Sequence, residues 1–385
     1  MIDLFAGAGG LALGFEQAGF STAVALDSDA TCADCLRVNF PETAVIHRDI
    51  RSISGKDILN EAGLGGREVD VVAGGPPCQG FSLIGLRDPK DARSGLVFEF
   101  HRLVTEIQPK FFVMENVPGI LNAHKGKFFH SLIKLLERDG YRVVSPVRVL
   151  NAAQFGVPQN RQRVFILGVR NDLAFNPKYP IQSHISPREN QGNASDSGLF
   201  DHSLPITPTV RDAIADLPRV DDYEELIVSD EIPYDIEPLS DYARMMRGLL
   251  KDPGSALRPP KSWNSSICTG CRRTVHGPVL AKRCAETPPG ETLPISRLYK
   301  LQWDNIANTL RAGTPTERGS YSSPRPIHPE QPRVVTVREG ARLLSFPDLH
   351  RFHITKWHGF RQVGNAVPPL LARAVAKEIL RALKS

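Results

Sequence analysis

Short apolar runs alternate with amphipathic stretches through the first 170 residues, and this alternation constrains the fold more than any other feature. The apolar runs, bounded by Gly, Pro or charged residues, predict buried strands. They are Ile2–Phe5, Ala23–Leu26, Val69–Ala73, Phe111–Met114 and Val164–Val169. The stretches between them have helical spacing. They are Leu11–Ala18, Ala30–Asn39, Phe98–Ile107 and Phe128–Arg138. Strands that alternate with helices predict the α/β class, with a doubly wound, mostly parallel sheet covered on both faces.

The texture of the chain changes after Asn171, and 385 residues are enough for two domains. Pro, Ser and Asn become frequent between Pro177 and Thr209, where the helical periodicity weakens. Helical spacing returns in Val337–Phe346 and Pro368–Leu383. We therefore predict a first domain built from residues 1–172 and 355–385. Residues 173–354 are predicted to form a second, irregular mixed domain together with its hinge.

Charge is unevenly distributed over the middle of the chain, although the formal net charge is only +5. Asn190–Ser255 contains fourteen acidic and five basic residues, whereas Ala256–Glu330 contains eleven basic and five acidic ones. Such a basic stretch favours a polyanionic partner. The alternative is two surfaces that differ only in their solvation.

Composition also bears on the compartment and on metal binding. No run of about 18 apolar residues occurs, so we expect no membrane span, and Met1–Phe5 lacks the pattern of an export signal. Without export, the six cysteines are expected to be reduced thiols. They are Cys32, Cys35, Cys78, Cys268, Cys271 and Cys284. Two C-x-x-C pairs occur, but their spacing matches no four-ligand zinc pattern, so we expect no metal site.

A glycine-rich turn follows the first predicted strand, in the segment Asp3–Ala12. Gly7, Gly9 and Ala12 satisfy the loose pattern G-x-G-x-x-G/A, in which the backbone turns tightly and approaches a ligand closely. Asp27 ends the next predicted strand, where an acid accepts hydrogen bonds from ribose hydroxyls. This combination indicates an adenosine-containing cofactor and leaves a nicotinamide cofactor and S-adenosylmethionine both open.

Three further polar segments adjoin predicted strands. Cys78 follows Pro76-Pro77 just after Val69–Ala73, a polar loop setting that favours a nucleophilic thiolate over an inert core thiol. Glu115 follows Phe111–Met114, where apolar neighbours would raise the carboxyl pKa and allow it to donate a proton. Arg161 and Arg163 precede Val164–Val169 on one side of an extended chain and could bind phosphate or a base carbonyl. Taken singly, the acid and the arginines could equally be solvated surface groups.

In their order, these segments resemble the DNA (cytosine-5) methyltransferases of bacterial type. The resemblance covers both ends of the chain. Seven segments match motifs of this family, and some of them include residues described above. They are Asp3–Gly10, Arg48-Asp49-Ile50, Gly74–Ser82, Glu115-Asn116-Val117, Gln159–Arg163, Arg338–Asp348 and Gln362–Val367. The family places its variable target-recognition domain in the region between about Asp172 and Gln331. Two departures are Asp27, where the family has Glu, and Leu344, where it has Gln.

The resemblance implies methyl transfer from S-adenosylmethionine to carbon 5 of a flipped-out cytosine in a specific duplex DNA site, on a Rossmann-like fold. It implies that Cys78 forms the covalent adduct, that Glu115 binds the base, and that Arg161 and Arg163 hold the base and its phosphate. The implied cofactor residues are Phe5, Gly7, Gly9, Asp27, Ser28, Asp49, Ile50, Pro76, Leu96, Asn365 and Val367. No metal is implied.

The same resemblance sets the expected partners and leaves alternatives. We expect a monomer that acts on duplex DNA in the cytoplasm, at the nucleoid and not at a membrane, with a possible cognate restriction endonuclease. The basic stretch should face the DNA. Its candidate contacts are Arg258, Lys261, Arg272, Arg273, Lys282, Arg283 and Arg297. The alternatives are a tRNA cytosine-5 methyltransferase, a nicotinamide dehydrogenase and a DNA-binding module without catalysis.

Overall fold

A computed structural model describes residues 1–77, 95–123, 125–174, 177–187, 203–250, 263–313 and 325–385 of the chain. Within these residues an eight-stranded sheet has the order β3-β2-β1-β4-β5-β9-β6, and β7 also pairs with β9. The strands of this sheet are β1 (Ile2–Leu4), β2 (Val24–Asp27), β3 (Ala44–His47), β4 (Val71–Gly74), β5 (Phe111–Asn116), β6 (Tyr141–Val143), β7 (Arg148–Asn151) and β9 (Gln162–Arg170).

The first five strands of the sheet run parallel, and β9 runs antiparallel to β5. The sheet is therefore mostly parallel and Rossmann-like, as predicted. Two strands are longer than the sequence predicted: β5 extends to Asn116 and β9 begins at Gln162. As a result Glu115 and Arg163 lie inside strands, whereas the sequence predicted them just outside. The pairing of β5 with β9 therefore determines the distance between these two residues.

Helices cover both faces of the sheet because successive strand residues point to opposite sides. Val71 packs on one face with α1 (Gly10–Gln17) and α11 (Pro369–Lys384), while Val72 packs on the other with α3 (Gly55–Glu61), α4 (Gly95–Ile107) and α5 (Lys127–Arg138). Helix α2 (Ala30–Asn39) packs through Leu36 against the middle region of the chain. Gly14 makes the close approach of α1 and α11 possible, since a Cβ there would lie 2.4 Å from the Cβ of Ala372.

The middle of the chain consists of short elements. They are β8 (Gln159–Asn160), α6 (Val210–Ile214), β10 (Glu231–Pro233), α7 (Asp241–Met246), β11 (Ile267–Thr269), α8 (Pro278–Glu286), β12 (Ala307–Asn308), α9 (Val337–Leu343) and α10 (Lys356–Asn365). Strand β10 pairs with β11, and β12 pairs with β8. The limits of the two predicted domains stay a prediction.

A buried ion network joins these short elements. The Arg342 guanidinium contacts Asp348 at 2.6 Å and Asp216 at 3.1 Å, and Arg247 reaches Asp216 at 2.9 Å. All four side chains are almost completely buried. Asp216 belongs to the acidic segment Asn190–Ser255, so at least one carboxylate of that segment is buried. Because removing one partner of such a network leaves an unpaired buried charge, the network specifies how α6, α7 and α9 pack together.

Within the described residues, no helix combines the length and the apolar character that crossing a membrane requires.

Candidate active site

The cofactor turn lies between β1 and α1. Phe5, Gly7 and Gly9 have φ angles of 61°, 57° and 81°, so the chain makes a left-handed turn before the helix begins. The Asp27 carboxylate fixes this turn, since Gly7 N donates to Oδ2 at 2.8 Å and Asp29 N donates to Oδ1 at 2.8 Å. Burial raises the pKa of Asp27 and these two bonds oppose the rise. Each carboxylate oxygen keeps a lone pair for another donor.

The last motif of the chain packs directly on this turn. A Cβ at Gly10 would lie 2.2 Å from the carbonyl oxygen of Val367, so only glycine permits the contact. Gln362 Nε2 donates to the carbonyl of Thr31 at 2.8 Å, and Arg361 pairs with Asp29. Helix α10 and Val367 therefore pack against the start of α1 and of α2, although more than 300 residues separate the two segments.

The other predicted cofactor residues are less closely grouped. Ser28 is exposed and follows Asp27 directly, while Ile50 is buried. Asp49 is engaged by the Arg51 guanidinium and backbone N–H, and these hydrogen bonds lower the pKa of Asp49 to about 2. Leu96 lies in the first turn of α4 and packs against the core.

Glu115 and Arg163 form the central pair of the site. Arg163 Nε lies 2.8 Å from Glu115 Oε1, and both side chains are nearly buried. The register explains the contact: Glu115 pairs with Phe165, and Arg163 lies two residues earlier on the same face of β9. Burial raises the pKa of Glu115, and the charges of Arg163 and then Arg161 oppose that rise.

The loop that leads to Cys78 starts against this pair. A Cβ at Gly75 would lie 2.9 Å from Glu115 Oε2, and Asn116 Nδ2 donates to the carbonyl of Pro76 at 3.0 Å. Gly75 therefore lies against the carboxyl group, and Pro76 is held by the neighbouring Asn116. Cys78 itself, the predicted nucleophile, lies outside the described residues.

Arg161 has a different environment from Arg163. Its guanidinium is fully buried and donates to the carbonyls of Leu310, Gly364 and Ala366 at 2.8–2.9 Å. The predicted arrangement of both arginines on one open side therefore does not occur. Arg161 instead ties β9 to the segment after β12 and to the end of α10.

A buried acid next to the cofactor turn was not singled out as a site residue from the sequence. Asp3 sits inside β1, where burial raises its pKa to about 8 and the Ala12 N–H bonded to Oδ2 opposes the rise. Burial therefore favours the protonated form of this carboxyl group. The sequence signal for this buried acid was its position between the apolar residues Ile2 and Leu4 of a predicted strand.

The remaining candidates vary in exposure. Arg272 and Arg273 donate to the carbonyls of Ile227 and Asp221, whereas Lys282, Arg283 and Arg297 are exposed. Arg258 and Lys261 lie outside the described residues. Arg297 and the neighbouring Ile295, which is 90% exposed, both have positive φ angles, a strained conformation for non-glycine residues.

The cysteine pairs form no metal centre in the part of the chain that the structure describes, where no three potential ligands group together. Cys268 and Cys271 are buried with their sulfur atoms 3.2 Å apart, and Cys35 is also buried.

Comparisons with known proteins agree on one family. The family model described as C-5 cytosine-specific DNA methylase matches residues 1–381. The type II methyltransferase M.XorII of Xanthomonas oryzae pv. oryzae is 44% identical over 383 residues, which cover 100% of this chain and 85% of that protein. M.AgeI of Thalassovita gelatinovora is 33% identical, with 98% of each chain covered. The crystal structure of a putative DNA modification methyltransferase from an E. coli prophage superposes with a TM-score of 0.78 at 30% identity, covering 100% of this chain and 99% of that one.

The Glu115–Arg163 pair predicts how the carboxyl group titrates. Replacing Arg163 by Gln removes the largest charge that stabilises the carboxylate, so the pKa of Glu115 should rise further. Titration of the side-chain carbon signal of Glu115 by NMR measures the shift. Arg148→Gln, which removes an exposed cation from neighbouring β7, should leave the titration unchanged. A Glu115 pKa that stays the same or falls in Arg163→Gln would show that the pair does not control this group.

Proposed function

Because the chain belongs to the C-5 cytosine-specific DNA methylase family, we propose that the space beside Gly75, Glu115 and Arg163 receives one cytosine base of the DNA substrate. The chain is a DNA cytosine-5 methyltransferase. Its full-length relatives are type II methyltransferases, so a tRNA substrate is not favoured. The observation that carries the proposal is the buried Glu115 carboxyl group, held by Arg163 next to the backbone that leads to Cys78.

The base must leave the duplex to reach this space. A stacked cytosine is inaccessible to a side chain at the edge of a sheet, so flipping it out costs a few kcal/mol. The buried polar groups would offset part of that cost by hydrogen-bonding the polar edge of the base. A protonated Glu115 can donate to ring nitrogen 3 while its other oxygen accepts from the exocyclic amino group. Burial, which raises the pKa of Glu115, favours this protonated form.

Cys78 is the proposed nucleophile. Its thiolate bonds to carbon 6 of the cytosine, and the displaced electron pair makes carbon 5 nucleophilic. When bound, S-adenosylmethionine supplies a methyl group on a sulfonium sulfur; as carbon 5 takes the methyl group, the sulfur keeps the bonding pair. A base then removes the carbon-5 proton, the ring double bond re-forms, and the bond to Cys78 breaks. Glu115 stabilises the electron-rich adduct through its bond to nitrogen 3.

The two arginines have separate proposed roles. Arg163 orients Glu115 and has further donors for a base carbonyl or phosphate. Arg161, which is inaccessible behind three carbonyl oxygens, is a positioning residue: it fixes the strand that carries Arg163 to the end of α10.

The residues of the glycine turn fit S-adenosylmethionine. A Cβ at Gly7 would meet nothing within 4 Å, so open space lies over the turn, and Asp27 has lone pairs for the ribose hydroxyls. Asp49 would accept from the adenine amino group. The other proposed contacts are Phe5, Gly9, Ser28, Ile50, Pro76, Leu96, Asn365 and Val367.

The family implies a DNA substrate, and we propose that it is duplex DNA bound by a monomer in the cytoplasm, at the nucleoid. The exposed Arg297, with its neighbour Ile295 protruding, is the candidate to reach base edges. The type II relatives make a cognate restriction endonuclease the expected companion.

The covalent mechanism predicts that Cys78→Ser abolishes methyl transfer, because a hydroxyl is a far weaker nucleophile than a thiolate, while duplex binding persists. Transfer of a labelled methyl group to duplex DNA measures activity, and a mobility shift measures binding. Cys284→Ala, which removes a buried thiol on α8 outside the site, should retain activity. Substantial turnover by Cys78→Ser would refute the covalent adduct.

The cofactor site predicts that Asp27→Ala weakens S-adenosylmethionine binding by about 1.5–3 kcal/mol, the range for hydrogen bonds to a charged group. Isothermal calorimetry of the purified protein measures the affinity directly. The matched control is Asp34→Ala, which removes an exposed acid from α2 and should leave the affinity unchanged. Equal affinities for Asp27→Ala and the wild type would remove Asp27 from the site.

A further inference from the structure

Four basic side chains gather where the segment after β11 meets the start of α10. Arg272, Arg273, Arg325 and Lys356 form this group, here called the cationic cluster. Lys356 Nζ donates to the carbonyl of Arg273 at 3.0 Å, and Arg325 Nη2 donates to the carbonyl of Lys356 at 3.2 Å. Arg325 and Lys356 follow Arg272 and Arg273 by more than 50 residues in the chain, so the fold rather than the local sequence assembles the group.

Among the described residues, two carboxylates lie near Arg272 and Arg273 of the cationic cluster. Asp221 lies 4.0 Å from Arg273 Nη1 and 3.6 Å from Arg333 Nε. Arg333 is already neutralised by a bidentate contact with Glu339. Asp230 is nearby but accepts from backbone N–H groups of Gly270 and Arg272. Among the described residues, the side chains of Arg272 and Lys356 donate only to carbonyl oxygens.

The basic groups of this region disfavour one another's charged forms. Burial, and then the charges of Arg325 and Arg272, lower the pKa of Lys356. Burial, and then Lys356 and Arg325, lower the pKa of the neighbouring His276. Like charges at close range raise the free energy of the empty site, and a bound anion would relieve that repulsion.

A cavity of about 180 Å³ adjoins the cationic cluster at Arg273, the one member of the cluster in its wall. Thr274, His276, Arg333 and the Asp221 carboxylate also line it. Arg273 Nε is buried and has no hydrogen-bond partner among the described residues. His276 Nε2 accepts from Val334 N at 3.2 Å, so a neutral His276 carries its proton on Nδ1 as a further donor. A water molecule occupies about 30 Å³, so the cavity has room for a tetrahedral anion.

The start of α10 adds to the positive potential. The helix begins at Lys356, and its N-cap residue Thr355 makes no side-chain capping bond. The N-terminus of a helix carries a partial positive charge. The same helix ends at Asn365, and the carbonyl of the preceding Gly364 accepts a hydrogen bond from Arg161.

We propose that the cationic cluster and its cavity bind one phosphodiester group of the DNA substrate. The proposal rests on the proposed function, since it takes the duplex to be the ligand. At a rise of 1.5 Å per residue, Lys356 lies about 12 Å along α10 from Gly364, whose carbonyl accepts from Arg161. A phosphate held there would position the duplex through the helix that also contacts the cofactor turn.

The first measurement is the salt dependence of duplex binding, by fluorescence anisotropy, for the wild type, Lys356→Gln and Arg272→Gln. Each variant should lower the slope of log Kd against log salt concentration by about 1 and weaken target and non-target duplexes alike. If both cations contact the same phosphate, the double variant should lower the slope by less than the two single changes together. Lys356→Arg should restore the slope, which excludes misfolding as the cause.

The matched control is Arg381→Gln, which removes an exposed cation from the last turn of α11 and should leave the slope as in the wild type. A slope unchanged in Lys356→Gln and Arg272→Gln, in enzyme that still methylates DNA, would overturn the phosphate site and leave the proposed function standing. Failure of the wild type to methylate any duplex would count against the proposed function instead.

Inorganic phosphate distinguishes the two sources of this ligand chemistry. A rise in melting temperature with phosphate in the wild type but not in Lys356→Gln, combined with unchanged DNA slopes, would assign the site to a free anion and overturn the DNA assignment. The proposal expects the opposite pattern: altered DNA slopes, with phosphate acting at most as a weak competitor of the duplex.

Discussion

The buried contact between Glu115 and Arg163 is the interaction on which the rest of the site depends. It forms where the sheet changes from parallel to antiparallel pairing. Because β9 runs antiparallel to β5, Arg163, which precedes Phe165 in β9, lies alongside the end of β5. Desolvating both groups is costly, and their mutual attraction repays that cost only if the geometry is held closely. The pair therefore requires a fixed register between two strands, and it leaves a carboxyl group that can gain or lose a proton beside the Pro76-Pro77 backbone.

Contacts between distant parts of the chain hold that geometry. Arg161 fastens the start of β9 to carbonyls at Leu310, Gly364 and Ala366, and α10 in turn packs against the cofactor turn. The N–H of Gly7 binds Asp27 on the neighbouring strand. The base-binding pair and the cofactor turn are thus parts of one connected framework, so a methyl donor and an acceptor base would meet in a defined orientation. Such prior ordering is a main source of rate enhancement in group transfer.

Local patterns were enough to predict the parallel strands β1, β2, β4 and β5 and the helices α1, α2, α4 and α5. The resemblance was enough to identify the family. The limits of β5 and β9 were missed because Glu115, Asn116 and Arg163 are polar, and only pairing partners reveal that they extend a strand. Strand β3 was missed because Ala44–His47 is a short, partly exposed edge. The burial of Arg161 and the contact of Arg342 with Asp216 depend on residues more than 100 positions apart, and a single sequence carries no signal for such pairs.

The central claim is that one cytosine sits between the Glu115–Arg163 pair and Cys78 and becomes covalently bound. Fluorine at carbon 5 cannot leave as a proton, so a duplex with 5-fluorocytosine at the target position should arrest the reaction after methyl transfer. Mass spectrometry of the denatured and digested complex should then find the methylated nucleotide attached to the peptide that contains Cys78. Methyl transfer to ordinary cytosine with no such adduct on the fluorinated duplex, or an adduct on a different residue, would contradict the account.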